Sequence, residues 1–273
     1  NNLIATDSLT AGTTTYAVNT AATGAVTATN AAFDNFILEA DAAFDATGSG
    51  AITVTSGSTF TIAADQTGLD IVGSAAGATI NLVTADDTAA NGTAILLELD
   101  DVIMNTNITT VNVEATVGAF DADSITLATT GALNLSGTQA YDLGNATAAS
   151  VTSTSTGAIT LDTANASLDA ITTGNGADQL TLDEAAAVMV LSSGEGADVV
   201  SVGNAAASQY DLGGGNDQIT ITNANSGVIA AGAGNDTIIH NAGIASDMII
   251  AGGDGSDTLR ILGNANINVS GNT

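Results

Sequence analysis

A glycine- and aspartate-rich motif recurs five times in the C-terminal part of the chain, and its near-constant interval limits the fold more than any other feature. The copies span residues 173–178, 193–198, 212–217, 231–236 and 252–257. Their aspartates are 20, 19, 19 and 21 residues apart. A unit of this length cannot bury its apolar side chains alone, so the pattern predicts units that stack around one elongated core.

Short strand patterns lie on both sides of each motif. Mostly apolar residues recur two and four residues after the motif aspartate and seven residues before it, and mostly polar residues separate them. Alternation with a period of two residues is typical of a β-strand. Each repeat therefore predicts two strands and two turns, as in one coil of a β-solenoid. The three ladders are Leu180, Val200, Ile219, Ile238 and Leu259; Leu182, Val202, Ile221, His240 and Ile261; and Ile171, Leu191, Tyr210, Ile229 and Ile250.

Alternating apolar pairs without the motif continue upstream, for example Ile52 with Val54 and Ile125 with Leu127. We therefore expect an all-β protein that forms a right-handed parallel β-solenoid, or β-roll, with short strands and about 13 coils spaced by about 4.8 Å. Residues 1–120 are predicted to be a β-rich segment, either solenoid or a separate domain. Residues 121–273 are predicted to be solenoid, with the motif repeats from residue 173 onward.

Two upstream stretches are ambiguous. Phe33, Phe36, Ile37, Ala40 and Phe44 recur at helical spacing, so a short helix and another strand pair both stay open there. Residues 94–104 are apolar with little alternation, and the pattern does not decide their structure.

The charge balance excludes several classes of partner. The chain has 29 acidic residues, a single basic residue, Arg260, and a formal net charge of −28. Nucleic-acid binding needs Lys and Arg to replace counterions on phosphates, and anionic lipids attract the same residues. No apolar run is long enough for a transmembrane helix. Hydrophobic residues make up 45% of the chain, which argues against a disordered acidic protein.

A chain without cysteine needs another source of stability outside the cell, and metal binding is one. Residues 252–260 match the calcium-binding repeat G-G-x-G-x-D-x-U-x at every specified position, and the other copies differ only at the first. Glycine permits the tight turn, and aspartate supplies an anionic oxygen next to it. Five stacked aspartates would repel one another, whereas Ca²⁺ collects six or more such oxygens. We therefore predict one column of calcium-binding turns.

These repeats resemble those of the repeats-in-toxin, or hemolysin-type, calcium-binding proteins over roughly the last 100 residues. The cysteine-free body, rich in Ala, Thr, Asn and Gly with stretches such as residues 108–114, resembles bacterial surface-layer proteins that carry such repeats. The resemblance implies type I secretion, calcium-dependent folding outside the cell and assembly into a surface polymer. It implies that calcium is bound by Asp178, Asp198, Asp217, Asp236 and Asp257 and by the carbonyls of Gly174, Gly176, Gly194, Gly196, Gly213, Gly215, Gly232, Gly234, Gly253 and Gly255.

Two features depart from that family. Its motif often recurs every nine residues, so that both edges of the roll bind calcium, whereas here the interval of about 20 predicts one calcium column. The closing residues 269–273 carry no evident secretion signal, so the secretion route is expected only from the resemblance.

An enzymatic role is not expected. With one histidine and no cysteine, a Cys/His pair cannot form, and His240 lies in a ladder position that suggests a structural role. The acid pairs at 86–87 and 100–101 could suggest glycoside hydrolysis, which uses two carboxylates. Sugar-binding clefts normally also carry aromatic side chains, and this chain has no Trp and only three Tyr.

We expect an extracellular structural protein, a subunit of a surface layer or filament whose main partner is itself. Calcium could also bridge it to a cell-surface polysaccharide. A stalk module of a large secreted adhesin is the alternative. Ice binding is a less favoured alternative, because it needs a regular row of threonines. The residues between the motif glycines include no threonine, being Asn175, Glu195, Gly214, Ala233 and Asp254.

Overall fold

A computed structural model gives the fold, and it describes residues 15–18, 35–38, 52–63, 65–66, 68–85, 96–105, 107–128, 130–163, 168–182, 189–203, 207–223, 226–242 and 248–263. Every regular element in these segments is a β-strand, which confirms the all-β prediction. No helix in the described segments is long and apolar enough to span a membrane.

The strands form two parallel sheets, and successive strands along most of the chain alternate between them. Each coil therefore contributes one strand to each sheet, which confirms the parallel β-solenoid. The right-handed sense stays a prediction, in line with the strong preference of parallel crossovers. Sheet 1 contains β1 (Thr15–Val18), β2 (Asn35–Leu38), β4 (Thr59–Ile62), β6 (Ala78–Thr84), β8 (Ile108–Ala115), β10 (Ala132–Gly137), β12 (Ser150–Ser153), β14 (Ala170–Thr172), β16 (Val190–Ser192), β18 (Ala207–Asp211), β20 (Ser226–Ala233) and β22 (Ile249–Asp254). Sheet 2 contains β3 (Ile52–Val54), β5 (Leu69–Gly73), β7 (Leu96–Met104), β9 (Ala119–Thr126), β11 (Tyr141–Thr147), β13 (Ile159–Thr163), β15 (Gln179–Leu182), β17 (Val199–Val202), β19 (Gln218–Ile221), β21 (Thr237–His240) and β23 (Thr258–Ile261).

The three predicted ladders are in register between neighbouring coils. Leu180, Val200 and Ile219 pair in sequence across sheet 2, and Leu191 pairs with Tyr210 in sheet 1. Their side chains are buried between the sheets except in the last described coil, where Leu259 is 47% exposed, and the alternate residues face outward. The period-two pattern therefore places one face of each strand in a thin core of Ile, Leu, Val and Ala.

The upstream strands continue the same two sheets. Strand β9 pairs with both β7 and β11, so the stacking runs without a break through residue 120. Sheet 1 has twelve strands among the described residues, compared with about 13 predicted coils. The rings of Phe36 and Phe60, one coil apart, stack with centroids 4.6 Å apart.

The ambiguous stretches are resolved where the structure describes them. Residues 35–38 form strand β2 with alternating burial, so the helical option is wrong for this part. Phe33, Ala40 and Phe44 lie outside the described residues. The stretch at 94–104 contains strand β7.

The stacked core predicts a large difference between inward and outward truncations on one strand. Replacement of the buried Ile219 by Ala should lower the free energy of unfolding by about 2–5 kcal/mol, because it leaves a cavity in the continuous ladder. Thr220→Ala, on the outward side of the same strand, should change it by less than about 0.5 kcal/mol. Urea unfolding in calcium-containing buffer measures both, and equal effects would contradict the observed facing of β19.

Candidate functional site

The repeated turns stack at one edge of the solenoid and bond to one another through their backbones. The third motif positions, Glu195, Gly214 and Ala233, form bridges from coil to coil. The amide of Gly214 donates to the carbonyl of Gly194 at 2.8 Å, and the amide of Gly196 donates to the carbonyl of Gly214 at 2.7 Å. The turns therefore form a regular stack, and carbonyls of the second and third motif positions accept bonds between coils.

Two glycines in each of the last four copies are required by both conformation and space. Gly213 and Gly215 have φ angles of 89° and 145°. A Cβ atom on Gly215 would lie 1.4 Å from the carbonyl oxygen of Gly196, so no side chain fits between the coils. The corresponding φ angles are also positive for Gly194, Gly196, Gly232, Gly234, Gly253 and Gly255.

The first copy has a different backbone. Gly174 and Gly176 do not adopt the positive φ of the later copies. They are still needed for close approach, because a Cβ atom on Gly174 would lie 2.0 Å from the carbonyl oxygen of Ser155. The sequence identity of the motif therefore does not imply one turn conformation in all five copies.

The five motif aspartates form a column that we call the Asp ladder, comprising Asp178, Asp198, Asp217, Asp236 and Asp257. The first four are at most 2% exposed, whereas Asp257, in the last described coil, is exposed. The amide of each of the first four donates to Oδ1 of the next aspartate, at 2.9, 2.8, 2.9 and 3.1 Å. The amide of Ile159 starts the series by donating to Oδ1 of Asp178 at 2.8 Å. One oxygen of each carboxylate is thus built into the contact between coils.

The second carboxylate oxygen has no such role. The Oδ2 atoms of Asp178, Asp198, Asp217 and Asp236 are buried and have no hydrogen-bond partner. The only Arg or Lys in the chain, Arg260, is exposed on strand β23 and cannot compensate the column. A buried anionic oxygen without a donor is strongly unfavourable, so the ladder requires a proton or a cation at these atoms.

Burial changes the protonation of the ladder. Desolvation raises the pKa of Asp178 to about 6, although the hydrogen bond from the Ile159 amide opposes the shift. Desolvation also raises the pKa of Asp217 to about 6, with further increases from the charges of Asp198 and Asp236. The pKa of Asp198 is raised for the same first reason. Without a cation, folding therefore favours protonated carboxyls.

The same buried column is apolar upstream of the ladder, which the sequence reasoning missed. Ile159 pairs with Tyr141, and Tyr141 pairs with Phe120, in the strand positions that lead to Asp178. All three apolar side chains are at most 1% exposed. Counting back 19 residues from Asp178 would have identified Ile159 as the boundary. The carboxylates therefore occupy sites that are ordinary core positions in earlier coils.

Hydroxyls at the first motif position were also missed. Thr173 and Ser193 are buried, and each hydroxyl donates to a carbonyl of the next coil, to Ser193 at 2.8 Å and to Leu212 at 2.9 Å. The third and fourth copies have Leu212 and Ala231 there. At the first motif position, a side-chain hydroxyl therefore bonds to the next coil only in the first two copies.

The residues fit a hard cation in their chemistry. Carboxylate and carbonyl oxygens are the ligands that Ca²⁺ prefers, and four unpartnered carboxylate oxygens are present. No group of three or more His, Cys, Asp or Glu side chains in the described segments could hold a metal by itself. An ion would therefore also need turn carbonyls, each of which has a second lone pair besides the one used between coils.

The other residues singled out in the sequence have separate places. His240 is fully buried in its ladder, where it pairs with Ile221 and Ile261, and its Nδ1 lies 2.5 Å from the carbonyl oxygen of Ala242. Asp101 is exposed on β7 and accepts a hydrogen bond from the Ser124 hydroxyl. The pair at 86–87 lies outside the described residues. None of these described residues joins the Asp ladder.

No family model, curated protein or solved structure matches this chain.

Adjacent glycines of one turn should differ in their tolerance of a methyl group. Gly215→Ala combines a strained positive φ with a clash against a backbone carbonyl, and it should lower the free energy of unfolding by at least about 2 kcal/mol. Gly214→Ala meets the flexible end of the exposed Glu195 side chain and should lower it by less than about 1 kcal/mol. Thermal unfolding monitored by circular dichroism compares them, and equal tolerance would refute the stacked turn geometry.

In metal-free buffer, the protein should become less stable as the pH rises from about 4 to about 6. The ordinary carboxyl pKa is 3.8, and those of Asp178 and Asp217 are raised to about 6 in the folded state. Within this window the unfolded chain releases protons that the folded ladder retains, so the free energy of unfolding falls. Asp217→Asn should weaken this pH dependence, whereas Asp162→Asn, at an exposed position of β13, should leave it unchanged. Urea unfolding midpoints measured across this pH range test the prediction. A midpoint that rises with pH would contradict the raised carboxyl pKa values of the ladder.

Proposed function

We propose that this chain is an extracellular structural subunit that calcium folds and that assembles with further copies of itself into a surface layer or filament. The observation that carries the proposal is the set of four buried aspartate Oδ2 atoms without a hydrogen-bond partner. They stack between coils in a chain of net charge −28 with one basic residue.

A divalent cation would resolve the electrostatic problem of the Asp ladder. Neighbouring ladder positions are one coil apart, about 4.8 Å, and like charges at this spacing in a dry core oppose folding. Bound Ca²⁺ would supply positive charge there without requiring the carboxyls to take up protons. Asp178, Asp198, Asp217 and Asp236 would hold it through their carboxylates, with Asp257 at the exposed end.

Calcium is favoured over magnesium by the nature of the donors. Ca²⁺ accepts six to eight oxygens in flexible geometry, including carboxylates and backbone carbonyls. Mg²⁺ needs a near-ideal octahedron and usually retains several waters, for which a buried column between stacked coils offers little room. The glycine turns supply carbonyls close to the ladder, and they are rigid because each is bonded to the next turn.

Coupled binding and folding also supports an extracellular location. A chain whose ladder is unstable without the ion would stay unfolded where calcium is scarce, as in the cytoplasm, and would fold where calcium is abundant. Extracellular calcium modules bind the ion with affinities of about 10⁻⁴–10⁻³ M. Export of an unfolded chain by type I secretion fits this sequence of events.

Chelation tests the calcium role directly. Excess EDTA at pH 7.5 should remove most of the far-UV circular dichroism β-signal and the light scattering of assemblies, because the ionised ladder then lacks its counter-charge. Calcium in the millimolar range should restore both, and magnesium at the same concentration should not. An unchanged spectrum and intact assemblies in EDTA would mean that the Gly/Asp turns need no ion.

A neutral ladder variant sharpens this test because its effect should reverse with calcium. Asp198→Asn keeps a side-chain oxygen for the Asp178 amide and removes one buried charge, so it should raise stability in EDTA. In calcium it should raise the midpoint for calcium-induced folding at least tenfold, because a ligand charge is lost. Asp162→Asn provides the exposed control. Equal calcium midpoints for the two variants would place the ion elsewhere.

A further inference from the structure

The outer faces of the two sheets carry different amounts of charge. The strands of sheet 2 bear seven exposed or half-exposed carboxylates, Glu98, Asp100, Asp101, Asp121, Asp123, Asp142 and Asp162. Three of them stack in register, since Asp121 pairs with both Glu98 and Asp142. Burial, followed by the charges of Asp142, Asp123 and Glu98, raises the pKa of Asp121. The described strands of sheet 1 bear exposed carboxylates only at Glu114, Asp211 and, where β22 enters the turn, Asp254.

Sheet 1 also presents a row of exposed aliphatic side chains. Val190, Val228 and Ile249 are 46%, 38% and 61% exposed, and they lie in one register row with Gln209 between the two valines. On sheet 2 the comparable Val199 is 43% exposed but stands between two glutamines, Gln179 and Gln218. The exposed aliphatic side chains of sheet 2, Ile103, Val199 and Leu259, lie in three different register rows. A row that holds three exposed aliphatic side chains, interrupted by Gln209, is therefore a feature of sheet 1.

The upstream half of the same face is polar, carries one exposed carboxylate, Glu114, and is internally bonded. The Asn112 amide group donates to Asn81 Oδ1 at 2.9 Å, and the Asn134 amide group donates to Asn112 Oδ1 at 2.9 Å. These three side chains form an asparagine ladder on β6, β8 and β10. Such a ladder satisfies its own hydrogen bonds and gives a surface that is already ordered before it meets a partner.

From these observations we propose that the outer face of sheet 1 packs against the same face of a second copy of this chain, as two sheets of a sandwich. The inference rests on the proposed self-assembling role and identifies the surface that serves it. The pairing buries the row of Val190, Val228 and Ile249 together with the asparagine ladder, and the acidic face of sheet 2 stays in water. Aligned sheets pack about 10 Å apart through interdigitated side chains.

The area of the face matches this partner. Twelve strands at about 4.8 Å spacing, each about four residues long at about 3.3 Å per residue, give a surface of about 55 Å by 13 Å, or roughly 700 Å². A standard interface takes about 800 Å² from each partner. The face of sheet 1 alone therefore approaches the size of a stable dimer contact.

Charge determines which face two copies of the chain can bring together. Two molecules of net charge −28 repel, so a contact between copies needs the surface with the fewest carboxylates. Packing sheet 1 against sheet 2 would bring ten carboxylates to the contact without any cationic partner, whereas packing sheet 1 against sheet 1 would bring six, namely Glu114, Asp211 and Asp254 of each copy. The contact is thus isologous, and the same patch serves both molecules.

A pair of matched valine variants tests the surface. Val190 and Val199 begin the consecutive strands β16 and β17, are similarly exposed, and lie on opposite faces. In calcium, Val190→Glu should weaken the pairing constant from sedimentation velocity at least tenfold, and Val199→Glu should change it less than twofold. Equal weakening by both, or a folded wild-type chain that stays monomeric at high concentration, would overturn the proposal.

Thiol labelling locates the contact even if larger assemblies form, because the natural chain has no cysteine. Gln209→Cys on sheet 1 should react with a bulky maleimide at least tenfold more slowly at high protein concentration than at high dilution. Gln218→Cys, on the exposed side of sheet 2, should react at one rate throughout. Addition of Val190→Glu to Gln209→Cys should restore fast labelling. Concentration-independent labelling of Gln209→Cys would overturn the proposal.

The two proposals fail in distinguishable ways. Circular dichroism of the same samples reports whether the chain is folded with and without calcium, which tests the Asp ladder alone. If the chain folds without calcium, the calcium role fails, and the labelling of Gln209→Cys still reads the sheet 1 contact. If calcium folds the chain but Gln209→Cys is never protected, only the pairing surface is wrong.

Discussion

The fold of the C-terminal half depends on a hydrogen bond between coils in which a backbone amide donates to a buried aspartate carboxylate. Each of Asp178, Asp198 and Asp217 both donates through its amide and accepts through Oδ1, so one residue connects three coils. The bond fixes the stacking of the turns, and it also leaves an anionic oxygen in the core. Stability and the need for a counter-charge therefore arise from the same atoms.

Periodicity made much of this architecture predictable. A step of about 20 residues with apolar positions two residues apart specifies parallel coils and the register, and the ladder that contains Ile219 and Ile238 lies where the pattern placed it. The column of motif aspartates was equally evident. Its burial was not, because a single sequence shows which residues are aligned but not whether a turn residue faces solvent or core. The different backbone of Gly174 could not be read from a motif that its copy shares with the others.

The contrast between the two outer faces follows from the same alternation. Inward positions are mostly apolar on both sheets, so, apart from Asp70 and the buried Asp ladder, the acidic residues of the described strands lie at outward positions. Strands β7 and β9 of sheet 2 hold five of them, whereas all the described strands of sheet 1 hold three, Glu114, Asp211 and Asp254, among Asn, Thr, Ser and aliphatic residues. The chain thus distributes its charge by sheet, which leaves one broad surface on which contacts are electrostatically permitted.

The replacement of Asp178 by Ile159 one coil earlier divides the solenoid into two parts with different dependence on the ion. Upstream, the column of Phe120, Tyr141 and Ile159 contains no carboxylate, and the Tyr141 hydroxyl bonds to the backbone, whereas every later coil adds a carboxylate. In a linear array each unit is stabilised by its neighbours. We expect the apolar coils to form first when calcium is added and the later coils to stack onto them in order, so that folding begins at one place along the chain and proceeds in one direction.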